Sequence, residues 1–171
     1  MSTTSKPVGS DAERNGSGKP SDSSLILRIR LFGDFLVSAG NVDLPGTAWR
    51  RRKGAQLIKV LALAPDHALH REQIHEMLWP DLAPAAAANT LRQTLHVARR
   101  CLSLLPLDPS ALLKMRDERV HLFSTGHVWI DIEAFEAAAR DARHADDPAV
   151  YWSAIDLYTG PLLPDDPYED W

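Results

Sequence analysis

The alternation of apolar and polar positions predicts a small antiparallel sheet at the start of the ordered chain. From Leu25 to Leu31 every second side chain is aliphatic, which is the period of a half-buried strand. Turn signals at Gly33-Asp34 and Gly40-Asn41 then separate two shorter apolar runs, 35–37 and 42–44. Because such turns commonly connect paired strands, we expect the three strands to form one sheet.

The apolar spacing next changes to a helical period and predicts three helices in succession. A first helix is expected over 48–64, capped by Thr47 and ended by the Pro-Asp pair that follows. A second is expected over about 70–79, where Pro80 stops it. The third begins at a proline, which suits a first helical turn, and covers about 84–104.

The third helix has two chemically different faces. Its aliphatic stripe consists of Ala88, Leu91, Leu95, Ala98 and Leu102. Its polar face carries Asn89, Arg92, Gln93, His96, Arg99 and Arg100. Arginine pairs with guanine edges and with phosphates, whereas asparagine and glutamine pair with adenine edges. We therefore predict that this helix enters the DNA major groove and that four residues read bases: Asn89, Arg92, Gln93 and His96.

Residues 111–123 return to a period of two and predict a β-hairpin. One side is apolar, with Leu113, Met115, Val120 and Leu122. The other side carries Lys114, Arg116 and His121, and residues 116–119 form a tip that we expect to be basic. A sheet, three helices and a hairpin in this order predict a mainly α fold with small β-sheets, a winged helix-turn-helix.

Basic side chains outside the base-reading set are candidates for phosphate contacts. Four lie at the start of the first helix, where the helix dipole also favours an anion. An alternative for one or two of them is an ion pair with Asp34 or Asp81. The others lie on the second helix, at the end of the third and on the hairpin. The full set is Arg50, Arg51, Arg52, Lys53, Arg71, Arg99, Arg100, Lys114, Arg116 and Arg119.

Residues 126–171 predict a second module built from helices. Two amphipathic helices are expected over 132–143 and 148–158, with Phe135 and small alanines inward. Tyr151, Ile155 and Tyr158 follow at helical spacing. Such a hairpin resembles one tetratricopeptide-like repeat, which needs stacked neighbours to bury its apolar face.

The two modules differ sharply in charge. Residues 25–125 hold 14 basic and nine acidic side chains, a net charge of +5, which suits a polyanionic partner. Residues 126–171 hold two basic and 11 acidic side chains, a net charge of −9. One hypothesis is therefore that the acidic module competes with DNA for the basic surface if the two lie within the screening length of about 8 Å in physiological salt.

Other features argue against an enzyme and against a membrane protein. The seven histidines are scattered, and the chain lacks both a phosphate-binding glycine loop and a Gly-x-Ser-x-Gly motif. The single cysteine, Cys101, excludes an internal disulfide and suits a reducing cytosol. No apolar run reaches the length of a membrane helix, and the polar first residues do not form a signal peptide. We expect no cofactor, no metal and a cytoplasmic, nucleoid-associated protein. Trp49 and Trp79 are expected to pack in the core, and Trp129 at the joint between modules.

An ordered set of motifs resembles the Streptomyces antibiotic regulatory protein (SARP) family of bacterial activators. The DNA-binding part is matched by WRRRK at 49–53, REQ at 71–73, LWPD at 78–81 and NTLRQTLHVARR at 89–100. The bacterial transcriptional activator domain that follows in this family is matched by VWIDIEAF at 128–135 and LYTGPLLP at 157–164.

The resemblance implies an OmpR-like winged helix that binds direct repeats in promoter DNA. It also implies a tetratricopeptide-like activator domain that assists homodimerisation and contacts RNA polymerase. The expected domains are a disordered tail at 1–24, the winged helix at 25–125 and the start of a truncated activator domain at 126–171. Two alternatives remain: a protein-interaction module without specific DNA binding, or a fragment of a larger ATP-dependent regulator.

Overall fold

The computed structural model of the protein describes residues 26–49, 51–122, 128–145 and 149–166. The predicted tail at 1–24 lies outside the described residues. Within them are six α-helices: α1 Arg52–Leu63, α2 Arg71–Leu78, α3 Pro84–Leu102, α4 Pro109–Leu112, α5 Asp131–His144 and α6 Ala149–Leu157. The strands are β1 Leu27–Arg30, β2 Leu36–Ala39, β3 Val42–Pro45, β4 Ala68–His70, β5 Leu113–Arg116, β6 Arg119–Leu122 and β7 Val128–Ile130.

The first sheet has four strands in the order β3-β2-β1-β7. The predicted antiparallel arrangement of the first three strands is confirmed, with Leu27 opposite Ala39 and Ala39 opposite Val42. The fourth strand, β7, was not predicted and runs parallel to β1, so that Leu27 also lies opposite Val128. A three-residue strand leaves too short a pattern to be recognised, and its partner lies about a hundred residues earlier in the chain.

The second sheet and the first three helices have a winged-helix-like arrangement, consistent with the element order that the sequence predicted. Its strand order is β4-β6-β5, and β5 and β6 are the predicted hairpin. The hairpin turns at Asp117-Glu118, where both residues have positive φ angles, as a two-residue hairpin turn requires. Strand β4 pairs with β6 and was not predicted. The core between the helices and this sheet includes the fully buried side chains Leu57, Ile58, Leu61, Ile74, Leu91, Leu102, Leu113 and Leu122.

The start of the first helix differs from the prediction. Thr47 is not a helix cap but lies in a separate single 3-10 turn, Gly46–Ala48, and α1 begins four residues after Ala48. The cause is tertiary: Trp49 turns into the core, with its ring centroid 5.9 Å from that of Phe35, and this interrupts the helical path. The Arg51 side chain makes no capping hydrogen bond at the N-cap position.

The ends of the other predicted helices lie within two residues of the prediction, whereas the short helix α4 was not predicted. Helix α2 is preceded by a capping box, in which the His70 ring accepts from the backbone of Glu72 and Gln73 accepts from the backbone of His70. Helix α3 ends at Leu102 rather than Leu104, because tight turns after it bury Leu105.

Helices α5 and α6 pack against each other as the predicted helical hairpin, although its tetratricopeptide-like character remains a prediction. Phe135 packs edge-on against Phe32, which follows β1, with ring centroids 5.5 Å apart. On α6 only Ala154 is buried, whereas Tyr151 and Ile155 are about half exposed. None of the described helices is long and apolar enough to cross a membrane.

The chain after α6 returns to the first sheet. We call this part, residues 159–166, the return segment. The backbone N–H of Gly33 donates to Pro161 at 2.8 Å, and Leu163 donates to the carbonyl of Leu31 at 2.9 Å. Together with β7, the return segment joins the two predicted modules through backbone hydrogen bonds. The predicted domain boundary near residue 125 stays a prediction. The first sheet contains strands from both sides of this position, because β7 pairs with β1.

Candidate nucleic-acid interface

The solvent face of α3 is the polar face that the sequence predicted. Its exposed residues include all four predicted base-reading residues and one predicted phosphate contact: Asn89, Arg92, Gln93, His96 and Arg100. The opposite face is buried and consists of Ala87, Leu91, Thr94, Leu95, Ala98, Cys101 and Leu102. The helix therefore presents a continuous row of hydrogen-bonding groups on a rigid support, since its other side is part of the core.

One prediction about the buried stripe needs correction. It begins at Ala87 rather than Ala88, and it also includes Thr94 and Cys101. A helix packed against α1, α2 and α4 buries a wider arc than the narrow stripe that spacing alone suggested. Cys101 is a free, buried thiol, as expected of a packing residue.

Arg99 does not face solvent as a phosphate contact would. Its Nε donates to the carbonyl of Leu113 at 2.9 Å, and the side chain is only partly exposed. Leu113 is the first residue of the hairpin, so this bond ties α3 to the hairpin. Arg99 therefore links the two elements, and its contact with phosphate stays a prediction. Its neighbour Arg100 is exposed.

The basic start of α1 lies beside α3. A cleft of about 350 Å³ is lined on one side by Arg51, Arg52 and Lys53, and on the other by Trp79, Thr90, Thr94 and Val97. The sequence predicted the basic cluster but not its neighbours, because the contact joins residues about forty positions apart. Arg50, the fourth member of the predicted cluster, lies outside the described residues.

Arg52 is engaged by a carboxylate that the sequence did not indicate. Its guanidinium donates to Asp166 at 2.9 Å through NH2 and at 3.3 Å through Nε. The described partner of Arg52 is Asp166. The alternative that one of the four basic residues pairs with Asp34 or Asp81 stays a prediction. Asp166 belongs to the return segment, and its side chain is only 2% exposed.

Asp166 is the centre of a buried polar cluster on α1. Lys59, with a side chain 6% exposed, forms an ion pair with it, and Gln56 donates to it at 3.3 Å. Burial by itself raises the pKa of Asp166, but the hydrogen bonds from Lys59, Arg52 and Gln56 outweigh burial and hold the pKa below its usual value. The carboxylate is therefore ionised at neutral pH.

The hairpin turns within residues 116–119, as predicted, and two acidic residues lie between Arg116 and Arg119. Its two turn residues are Asp117 and Glu118. Arg116 pairs with Asp117 at 3.3 Å, and Arg71 of α2 pairs with Glu118 at 3.0 Å. Acidic residues at the turn follow from its positive φ angles, which aspartate tolerates better than most residues.

Arg119 is also held within the protein. Its guanidinium donates to the carbonyl of Ala68 at 3.2 Å, which fastens β6 to β4. Arg119 and Arg71 thus contact other elements around the hairpin, and Arg119 is exposed to solvent, as are Lys114 and Arg116.

The three tryptophans have the packing roles that the sequence predicted. Trp49 is 6% exposed in the core, and Trp79 packs against the core from the end of α2. Trp129 lies on β7, at the joint between the modules, with the Arg28 guanidinium 5.4 Å from its ring centroid. In the described ranges no cluster of three or more His, Cys, Asp or Glu side chains could hold a metal ion.

The fold is shared with a known structure. The search of solved structures matched EmbR of Mycobacterium tuberculosis, solved in complex with a low affinity phosphopeptide, with a TM-score of 0.65 and 17% sequence identity. The match covers 82% of this chain and 38% of the EmbR chain, so this chain spans well under half of that protein. At this identity the likeness establishes the fold. No family model and no curated protein sequence matches the chain.

Proposed function

We propose that this protein is a sequence-specific DNA-binding transcriptional regulator of the SARP type that acts as an activator. The observation that carries the proposal is the exposed row of Asn89, Arg92, Gln93 and His96 on a helix whose opposite face is buried. A helix of this kind in a winged-helix fold is suited to the major groove. The fold shared with EmbR is compatible with this proposal.

The base-reading residues occupy successive turns of α3. Arg92 and Gln93 lie in the middle of the exposed face, Asn89 one turn before them and His96 one turn after them. Arg92 is suited to a guanine edge, and Asn89 and Gln93 to adenine edges. The Arg92 Nε donates to the helix carbonyl of Ala88 at 3.4 Å, a weak bond that a base edge can replace.

The phosphate contacts are fewer than the sequence alone indicated. Arg71, Arg99 and Arg119 are engaged within the protein. The exposed or partly exposed cations that remain around α3 are Arg51, Lys53, Arg100, Lys114 and Arg116. If about five cations contact phosphate, the logarithm of affinity falls with the logarithm of salt concentration with a slope of roughly −4 to −5.

The partners in this proposal are promoter DNA with direct repeats, a second copy of the chain on the adjacent repeat, and RNA polymerase. They follow from the family resemblance. Each chain has one α3, so each direct repeat would be read by one protomer with the same residues.

Fluorescence anisotropy tests the proposal directly. The full chain is titrated against the promoter upstream of its own operon and against a scrambled duplex, at two salt concentrations, with Arg92→Ala in parallel. Tighter binding to the promoter that is lost in Arg92→Ala is expected. Equal, salt-sensitive binding to both duplexes by both proteins would contradict sequence-specific reading.

A second candidate function, a protein-interaction module, is favoured by the surface of α6. Tyr151, Trp152, Ile155 and Tyr158 are all about half exposed or more, which is unusual for large apolar side chains. Tyr151 and Ile155 line a groove of about 610 Å³ between α5 and α6. If this is the main function, Ile155→Asp abolishes complex formation in a pull-down and Arg92→Ala has no effect on it.

A further inference from the structure

The cluster around Asp166 lies where the acidic module meets the basic end of α1. Arg52, Gln56 and Lys59 are spaced by four and three positions, so they share one face of α1. All three donate hydrogen bonds to the Asp166 carboxylate. The return segment thus places the Asp166 carboxylate against α1, and the first turn of α1 lines the cleft beside α3.

Arg52 is the member of this cluster that also faces the interface. It lines the cleft together with Arg51 and Lys53. Its side chain is 63% exposed, in contrast to Lys59, whose ammonium is enclosed by Asp166 and lies 4.7 Å from the Phe35 ring centroid. The Arg52 side chain is therefore exposed to solvent, where a phosphate can approach it, and at the same time it is hydrogen-bonded to the buried Asp166 carboxylate.

We propose that Asp166 is an intramolecular competitor of the DNA backbone for Arg52. The carboxylate occupies the hydrogen-bonding edge of the guanidinium formed by Nε and NH2, which is the edge that binds a phosphate with two parallel bonds. While this contact is in place, the Asp166 charge offsets that of Arg52, and a phosphate is excluded from this edge of the guanidinium. Loss of the contact adds one cation to the DNA-binding surface.

The inference builds on the proposed function, but it needs only binding of duplex DNA and not sequence reading. A random-sequence duplex is therefore the appropriate probe. Salt dependence is the appropriate readout, because the slope counts phosphate contacts at about 0.9 per contact. A purely structural role of Asp166 would weaken binding without making this slope steeper.

The chain provides a matched control for the change in net charge. Asp165→Asn removes one negative charge at the adjacent exposed position, whose side-chain carboxylate makes no described hydrogen bond or ion pair. Asp166→Asn removes the same charge at the cluster. Arg52→Gln, alone and combined with Asp166→Asn, shows whether an effect acts through Arg52. Because Asp166→Asn leaves Lys59 buried without its counterion, the double variant Lys59→Met/Asp166→Asn is measured as well, and circular dichroism checks that each protein is folded.

The full-length proteins are titrated with the random duplex at several salt concentrations. The expected result is a slope steeper by about one for Asp166→Asn and for Lys59→Met/Asp166→Asn, with the slope of Asp165→Asn equal to that of the parent. In the Arg52→Gln background, Asp166→Asn should leave the slope unchanged. The inference is overturned if both Asp166 variants keep the parental slope, if Asp165→Asn has the same effect, or if the effect persists without Arg52. Loss of promoter preference would instead contradict the proposed function, while the slopes on random DNA still test the competition.

Discussion

The Nε of Arg99 lies 2.9 Å from the carbonyl oxygen of Leu113 and donates a hydrogen bond to it. This bond joins the last turn of α3 to the first residue of the hairpin, so it sets the position of the helix relative to the wing. The proposed base-reading row and the proposed wing contacts thus depend on one side chain that the sequence placed among the phosphate-binding residues.

Arg99→Met should destabilise the protein, whereas Arg100→Met should not. The first removes a hydrogen bond from a charged donor, which contributes about 1.5–3 kcal/mol to the free energy of unfolding. The second removes an exposed cation whose contribution to stability is small. Urea unfolding of both variants measures the difference. In DNA titrations, the salt slope of Arg100→Met should be shallower than that of the parent by about one, because an exposed phosphate contact is lost. Equal stabilities would mean that Arg99 is not an anchor.

Arg92→Ala and Arg116→Ala should affect DNA binding in different ways. Arg92 lies on the exposed face of α3, and its loss should weaken specific binding by about 1–3 kcal/mol and relax the preference at one base pair. Arg116 lies on the hairpin, and its loss should weaken binding to all sequences about equally. Competition titrations with a set of singly substituted operators separate the two effects. If both variants bind every duplex as the parent does, the docking of α3 in the major groove is wrong.

Asp131→Asn should weaken the joint between the two modules. The buried Asp131 carboxylate accepts hydrogen bonds from the backbone N–H groups of Leu31 and Phe32, at 2.8 and 2.9 Å. Each hydrogen bond to a charged group contributes about 1.5–3 kcal/mol, and the asparagine amide keeps one acceptor oxygen, so a loss of about 2–3 kcal/mol is expected. Chemical unfolding measures it. Asp141→Asn on the exposed side of the same helix is the control and should leave the stability unchanged.

The stability of the protein should fall with acidification in a way that depends on Asp166. Burial raises the pKa of Asp166, but hydrogen bonds from Lys59, Arg52 and Gln56 lower it more, and its folded-state pKa lies below the unfolded value. A group of this kind stabilises the fold fully above its unfolded pKa of about 3.9, and the stabilisation is lost as the pH falls through the folded pKa.

Urea unfolding of the parent and of Lys59→Met/Asp166→Asn between pH 7 and pH 3 measures this contribution. The decrease in stability below about pH 4 should be smaller in the double variant, because it lacks the titrating carboxylate. Parallel curves for the two proteins would show that Asp166 does not contribute to the acid sensitivity.

The order of the elements in the winged helix could be predicted because local patterns encode it. Helix α3 is an example. The helical period predicts that Leu91 and Arg92 lie on different faces of the helix, and the structure confirms that Leu91 is buried and Arg92 is exposed. Single chemical groups were harder to place. Arg99, Arg116 and Arg119 are chemically alike in sequence, yet only Arg99 and Arg119 bond to backbone carbonyls of distant elements.

The sequence by itself determined the helices, the hairpin and the polar face of α3, since hydrophobic periodicity and turn residues act over a few neighbouring positions. The tertiary structure decided where β7 pairs, where α1 begins and which carboxylate engages Arg52. Asp166 and Arg52 are 114 residues apart, and no local pattern marks such a pair. Their contact exists because the return segment pairs with the first sheet and places one carboxylate against the cationic face of α1, where burial requires a counterion for Lys59.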